Sequence, residues 1–145
     1  MQFNLLNKFP IKIKKEINKN ISSIIERNSF ILGPDVKKLE NKLAKFVGSK
    51  YCLGVSSGTD ALLISLMAIN IRKGDEVIVP SFSWISTASV VKMLGAKPVF
   101  VDIEKQTCNI DINKIKEKIN KKTKAIIFVS LFGNVPDVDK INKIA

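Results

Sequence analysis

The chain has 145 residues, 46% of them apolar, which is enough to fill the core of one compact domain or part of a larger one and too apolar for disorder. It holds no histidine and two cysteines, Cys52 and Cys108, far apart and in no metal-type spacing, which excludes the usual zinc sites and any Ser–His or Cys–His nucleophile pair. The formal charge of +11 raises nucleic acid as a partner, but the lysines of 12–50 and 114–124 sit among Asn, Ile and Glu at helical spacing without an aromatic stacking platform. Solvated helix faces account for that charge, and an acidic small substrate such as a phosphorylated sugar fits its sign equally well.

Along the chain, residues 1–10 alternate apolar and polar side chains without the continuous apolar core of a secretory segment. The stretch 11–28 carries Ile13, Ile17, Ile21, Ile24 and Ile25 as a helical stripe, and 29–48 holds a Gly33-Pro34 turn followed by a second helix closed by Gly48. Two leading helices without a strand predict a helical arm over 1–48, packed on an α/β core or on a partner.

From residue 50 onward short apolar runs alternate with amphipathic ones. Strands are expected at 51–55, 75–80, 97–103 and 124–132. Helices are expected at 59–70, at 85–95 with Gly95 as its stop, at 111–120 with Ile112, Ile115 and Ile119 on one side, and at 136–145. Pro136 and Asp137 start the last of these. Continuous β-branched runs separated by helices mean parallel strands buried on both faces, so the fold class is α/β. The most apolar stretch, 61–69, is interrupted by Ser65 and too short to span a bilayer, so no membrane partner is expected. A cytoplasmic setting with both thiols free follows from the cysteine usage. At Ala145 the helical pattern runs on without a Gly, Asn or Pro stop signal, and four parallel strands with a trailing half-helix would leave open edges. The expectation is a chain that continues in a longer protein.

In parallel α/β sheets, ligands collect at the carboxyl ends of the strands, where helix N-termini point inward. Three loops fall there, at 56–60, 80–84 and 130–134. The first, Ser56, Ser57, Gly58, Thr59 and Asp60, offers more donors than a turn or a cap needs. The helix dipole, the free amides and the Thr59 hydroxyl favour a phosphate, and glycine permits close backbone approach. Asp60 would repel an anion and is expected to turn away and help cap the helix. A capped helix without a ligand remains the alternative, and neither a Walker loop nor G-x-G-x-x-G is present. The second loop sets Phe82 and Trp84 on one side of an extended segment, where one could lie flat against a planar ring. A tryptophan in the core between sheet and helix is the competing reading.

Together these loops resemble the pyridoxal-phosphate-dependent sugar aminotransferases of the DegT–StrS type, which have the type I aspartate-aminotransferase fold. The resemblance runs through "FILGPDVKKLENKLAKFVGSKYCLGVSSGTDAL", "GDEVIVPSFSWISTASVVKMLGAKPVFVDI", "TCNID" and "TKAIIFVSLFGNVPDVDKI", in the family's order and at similar separations. It implies that Gly58 and Thr59 hold the phosphate of pyridoxal 5'-phosphate with the Asp60 amide assisting, and that Trp84 stacks on the pyridine face. Ser130 matches a substrate-contacting position where many relatives carry histidine and others serine. The "ILGP" and "VSLFG" wording is similar to that of enzymes aminating 3-keto nucleotide sugars, such as a UDP-linked 3-oxo-glucuronic acid derivative.

The resemblance also implies two elements further along that these residues do not contain: an Asp that pairs with the pyridine nitrogen and the Lys that forms the Schiff base. No catalytic residue is therefore assigned, and 49–145 reads as an incomplete cofactor-binding large domain. The full-length protein is expected to be a homodimer that aminates a keto-sugar nucleotide from an amino acid donor, glutamate, in surface-polysaccharide or amino-sugar biosynthesis. The alternatives are a sugar dehydratase of the same fold, in which histidine replaces the later lysine, and a non-catalytic phosphate-ligand-binding module.

Overall fold

The computed structural model describes residues 10–145, so the reading of residues 1–9 as lacking a secretory segment lies outside the described residues. The chain forms two compact units, one ending at Gly54 and one spanning Val55–Ala145.

The first unit is built from α1 (Ile11–Glu26) and α2 (Pro34–Val47). Pro34 at the first helical position has no amide to leave unpaired, and Asp35 beside it complements the helix dipole. Gly48 ends α2 in the left-handed region at φ 71°, which a glycine enters at little cost. Arg27 and Asp35 pair at 2.8 Å, joining the end of α1 to the start of α2. Ala44 is the only buried residue of the two helices, and Ile13, Ile17, Ile21 and Ile25 of the α1 stripe are exposed.

The strand expected at 51–55 does not form. A strand exists only with a ladder, and here side chains take the backbone groups: Ser49 Oγ donates to the Tyr51 carbonyl at 2.8 Å, and the Gly54 amide donates to Glu40 Oε1 at 2.7 Å.

The second unit contains α3 (Gly58–Ala68), β1 (Glu76–Pro80), α4 (Ser86–Met93), β2 (Lys97–Val101), α5 (Ile112–Lys118), β3 (Thr123–Ile126) and α6 (Val138–Ile144). The three strands form a parallel sheet in the order β2-β1-β3, with Glu76 opposite both Lys97 and Thr123. Alternation along β1 divides the core. Val77 and Val79 pack with Leu66, Val90 and Val91 of α3 and α4, while Ile78 packs with Ile115 and Ile141 of α5 and α6. All five β1 residues are buried, as a central parallel strand requires, whereas the edge strand β2 exposes Lys97 and Phe100.

Expected and observed elements agree except at their ends and in one strand. The run 124–132 pairs with β1 only at its start: Ile127 N–H donates to Ile78 at 2.8 Å, and the next ladder donor from β1 would be the amide of residue 80. That residue is Pro80, which has none, so pairing stops. The chain then turns through a short 3-10 segment, Leu131–Gly133, with Phe132 at φ 54° and Gly133 at φ 80°.

At the amino end of the sheet, Glu76 lies 8% exposed and accepts from Asn120 Nδ2 at 2.7 Å and Lys97 Nζ at 3.1 Å. Its own amide donates to the Lys122 carbonyl at 2.8 Å. The bond from Asn120 and then that from Lys97 hold its carboxyl below the usual carboxylate range.

Candidate functional site

Helix α3 starts at the Ser57–Asp60 turn. Ser57 is its N-cap, and its Oγ accepts the Asp60 amide at 3.1 Å. The Asp60 carboxylate accepts in return from Ser57 Oγ at 2.8 Å and from Ser56 Oγ. The bond from Ser56 and then that from Ser57 hold Asp60 below the usual carboxylate range, so it is ionised at neutral pH. Its charge turns back onto the serines, as the sequence reading expects. Its amide is also committed to the cap, so the family's assisting role for that amide finds it already engaged.

Gly58 and Thr59 are the first two residues of α3, where amides have no intrahelical acceptor. They open onto a cleft of about 570 Å³ at the carboxyl end of the sheet, within the roughly 300–1,000 Å³ range of small-molecule pockets. Thr59, Trp84 and Ser130 line the same cleft, so three separate stretches of sequence meet there: the first turn of α3, the loop between β1 and α4, and the extension of β3. Asp60 and Phe82 are not among the lining residues. The indole of Trp84 is 78% exposed, so it is not the core tryptophan of the competing reading.

Three hydroxyl residues of the cleft, Ser83, Ser86 and Thr87, were not singled out from the sequence. Thr59 Oγ1 and Ser86 Oγ lie 2.9 Å apart and connect the starts of α3 and α4, and Ser83 Oγ pairs with Thr87 Oγ1 at 3.2 Å. Their signal was weak, because serine and threonine at a helix start read as ordinary capping.

The chemistry of these donors fits the phosphate and the ring of pyridoxal phosphate. A Cβ placed on Gly58 would meet no atom within 4 Å beyond its chain neighbours and its own helix backbone, so the space beside its Cα is open. Two amides and the Thr59 hydroxyl supply donors for an anion, and the Trp84 face supplies an apolar platform. No lysine lines the cleft among the described residues.

Comparison with known proteins gives a consistent picture. Residues 11–145 match the DegT/DnrJ/EryC1/StrS aminotransferase family. The chain is 48% identical over 134 residues to UDP-2-acetamido-2-deoxy-3-oxo-D-glucuronate aminotransferase of Pseudomonas aeruginosa, covering 92% of this chain and 37% of that protein. Among solved structures it is similar to a DegT DnrJ EryC1 StrS aminotransferase from Brucella abortus, with TM-score 0.90 and 37% identity over 100% of this chain and 41% of the other. It is also similar to E. coli GDP-4-keto-6-deoxy-D-mannose-3-dehydratase with bound hydrated PLP, with TM-score 0.82 and 42% identity over 88% of this chain and 34% of the other. The chain thus spans between about a third and two fifths of the length of these relatives.

Proposed function

The chain belongs to the DegT/DnrJ/EryC1/StrS aminotransferase family, and on that premise we propose that its full-length protein is a pyridoxal-phosphate-dependent aminotransferase acting on a keto-sugar nucleotide. The observation that carries this reading is the meeting of the Gly58 and Thr59 amides, the Thr59 hydroxyl and the Trp84 ring in one cleft at the carboxyl end of the sheet. When bound, pyridoxal phosphate supplies an electron sink for the carbanion formed beside it.

Residues of this chain bind and orient. The amides of Gly58 and Thr59 and the Thr59 hydroxyl hold the phosphate, with the α3 dipole adding to the attraction. Asp60 serves from behind, keeping the helix start in place through its bonds to Ser56 and Ser57 while directing its charge away from the phosphate. Trp84, which lines the same cleft, would offer its face to the ring. Ser130, exposed at the end of the β3 extension, lines the cleft, which supports the substrate contact proposed for it. The resemblance puts the Schiff-base lysine and the ring-pairing aspartate in the part of the relatives that this chain does not cover, so no transamination is assigned to these residues alone.

The name of the Pseudomonas relative supports an acceptor with a keto group at sugar carbon 3 on a uridine diphosphate carrier, and glutamate is the donor we propose. A role in surface-polysaccharide or amino-sugar synthesis, residence in the cytoplasm and a homodimeric state complete the proposal. Both thiols are free, and no helix among the described residues is long and apolar enough to cross a membrane, which is compatible with that setting. The division into a leading arm over 1–48 and part of a cofactor-binding domain over 49–145 belongs to the proposal, whereas the compact units divide between Gly54 and Val55.

The test is to incubate the full-length protein with a 3-keto nucleotide sugar and isotopically labelled glutamate. Label is expected on the sugar, with 2-oxoglutarate as the second product. A deoxygenated sugar without label would transfer the assignment to the dehydratase branch, and an unchanged sugar would contradict the proposed substrate class.

A further inference from the structure

Ser86 opens α4, and its hydroxyl is half-buried 2.9 Å from that of Thr59, across 27 positions of sequence. Geometry allows either oxygen to donate. The two choices differ chemically, because a hydroxyl has one hydrogen and two lone-pair sites. If Thr59 donates to Ser86, its only hydrogen is spent, and it presents lone pairs to the cleft, which repel an anionic oxygen. If Ser86 donates to Thr59, the Thr59 hydrogen is free to point at that oxygen, and the chain of two hydroxyls polarises in the favourable sense.

The surroundings leave Ser86 available for this task. Ser83 and Thr87 pair with each other at 3.2 Å. Ser89 Oγ donates to the Ser86 carbonyl at 3.4 Å and does not engage the hydroxyl. The start of α4 has no side-chain cap, so Ser86 is not needed as one. We propose that Ser86 is a positioning residue that donates to Thr59 and so aims the Thr59 hydrogen at the phosphate of the cofactor. The inference rests on the phosphate-holding role of Thr59 given above. Its consequence is selective: Ser86 strengthens binding of a phosphorylated ring and is indifferent to the same ring without phosphate.

The test measures dissociation constants of the full-length apoprotein for pyridoxal phosphate and for pyridoxal by equilibrium dialysis, in Ser86→Ala, Ser86→Thr and Thr59→Val variants. The ratio of the two constants cancels contributions from the ring platform and from any covalent link to the aldehyde. Ser86→Ala is expected to lower the preference for the phosphorylated ring about fivefold to tenfold, the usual worth of a hydrogen bond between neutral groups, since Ser86 acts through the Thr59 hydroxyl. Ser86→Thr, which keeps the hydroxyl, is expected to hold the preference within about twofold of the parent. Adding Ser86→Ala to Thr59→Val is expected to cause no further loss, since the two act through one bond. Alanine is a strong helix former, so the variant retains α4. Equal weakening of both ligands by Ser86→Ala would mark a merely structural serine and overturn the proposal. If Thr59→Val shifts the preference and Ser86→Ala does not, the positioning role alone falls. If neither shifts it, the phosphate reading falls with it.

Discussion

The two ends of the parallel sheet both gather polar groups, and they use them in opposite ways. At the amino end, the Glu76 carboxylate accepts from Asn120 and Lys97, and its amide donates to Lys122. One residue of the central strand thereby holds both neighbouring edges. At the carboxyl end, the first two amides of α3 are open, Trp84 is exposed, and a cleft separates the loops. Closed polar clusters stabilise a fold, because unpaired buried groups are costly. Donors gathered at a helix start and left open to a cleft are groups whose partner is a ligand. The same physics therefore assigns joinery to one end and binding to the other.

The sharpest break in this comparison comes from the amino end. In the full-length protein, Glu76→Ala is expected to lower the thermal midpoint by roughly 5 °C by leaving Asn120 and the sheet edges untied, while cofactor affinity stays unchanged. The effect carries a pH signature. Because the folded-state pKa of Glu76 is depressed below its ordinary 4.5, its stabilisation is fully present above that value and is lost as pH falls through the lower folded value. Glu76→Gln is expected to lose this acid-limb dependence, seen as a shallower fall of the midpoint below about pH 4.5. A large loss of cofactor affinity in either variant would show that the two ends are not separable.

A smaller effect on stability is expected at the carboxyl end. A Cβ on Gly58 meets no protein atom and the residue begins a helix, so Gly58→Ala is expected to hold or slightly raise stability, by about 0.4–1 kcal/mol. It is nevertheless expected to weaken pyridoxal phosphate binding about tenfold, since the new methyl group occupies the approach to the amide. Denaturant unfolding and a ligand titration on the same sample separate the two. Unchanged affinity would mean that Gly58 is conformational punctuation and not part of the grip.

Much of this was legible in the sequence where the signals are local. The β-branched run of β1 and the Gly48 and Gly95 stops each act within a few residues, and both glycines have the positive φ their positions require. The errors arose where a partner decides. Residues 51–55 have strand composition but no ladder, and the run after Ile126 loses its ladder because Pro80 on the neighbouring strand has no amide to give. At the site, the 56–60 cluster announced its donors, and the outward turn of Asp60 followed from its charge. Ser86 carried no comparable announcement, because its role depends on a hydroxyl 27 positions earlier, brought near only when α3 and α4 pack on one face of the sheet.

The central claim is that Thr59 and Trp84 together secure a phosphorylated heterocycle at the mouth of α3. It is tested most directly by titrating the full-length apoprotein with pyridoxal phosphate after Thr59→Val and Trp84→Ala. Each change is expected to weaken binding about tenfold or more while the folded state is retained. Parent-like affinity in both variants would contradict the account.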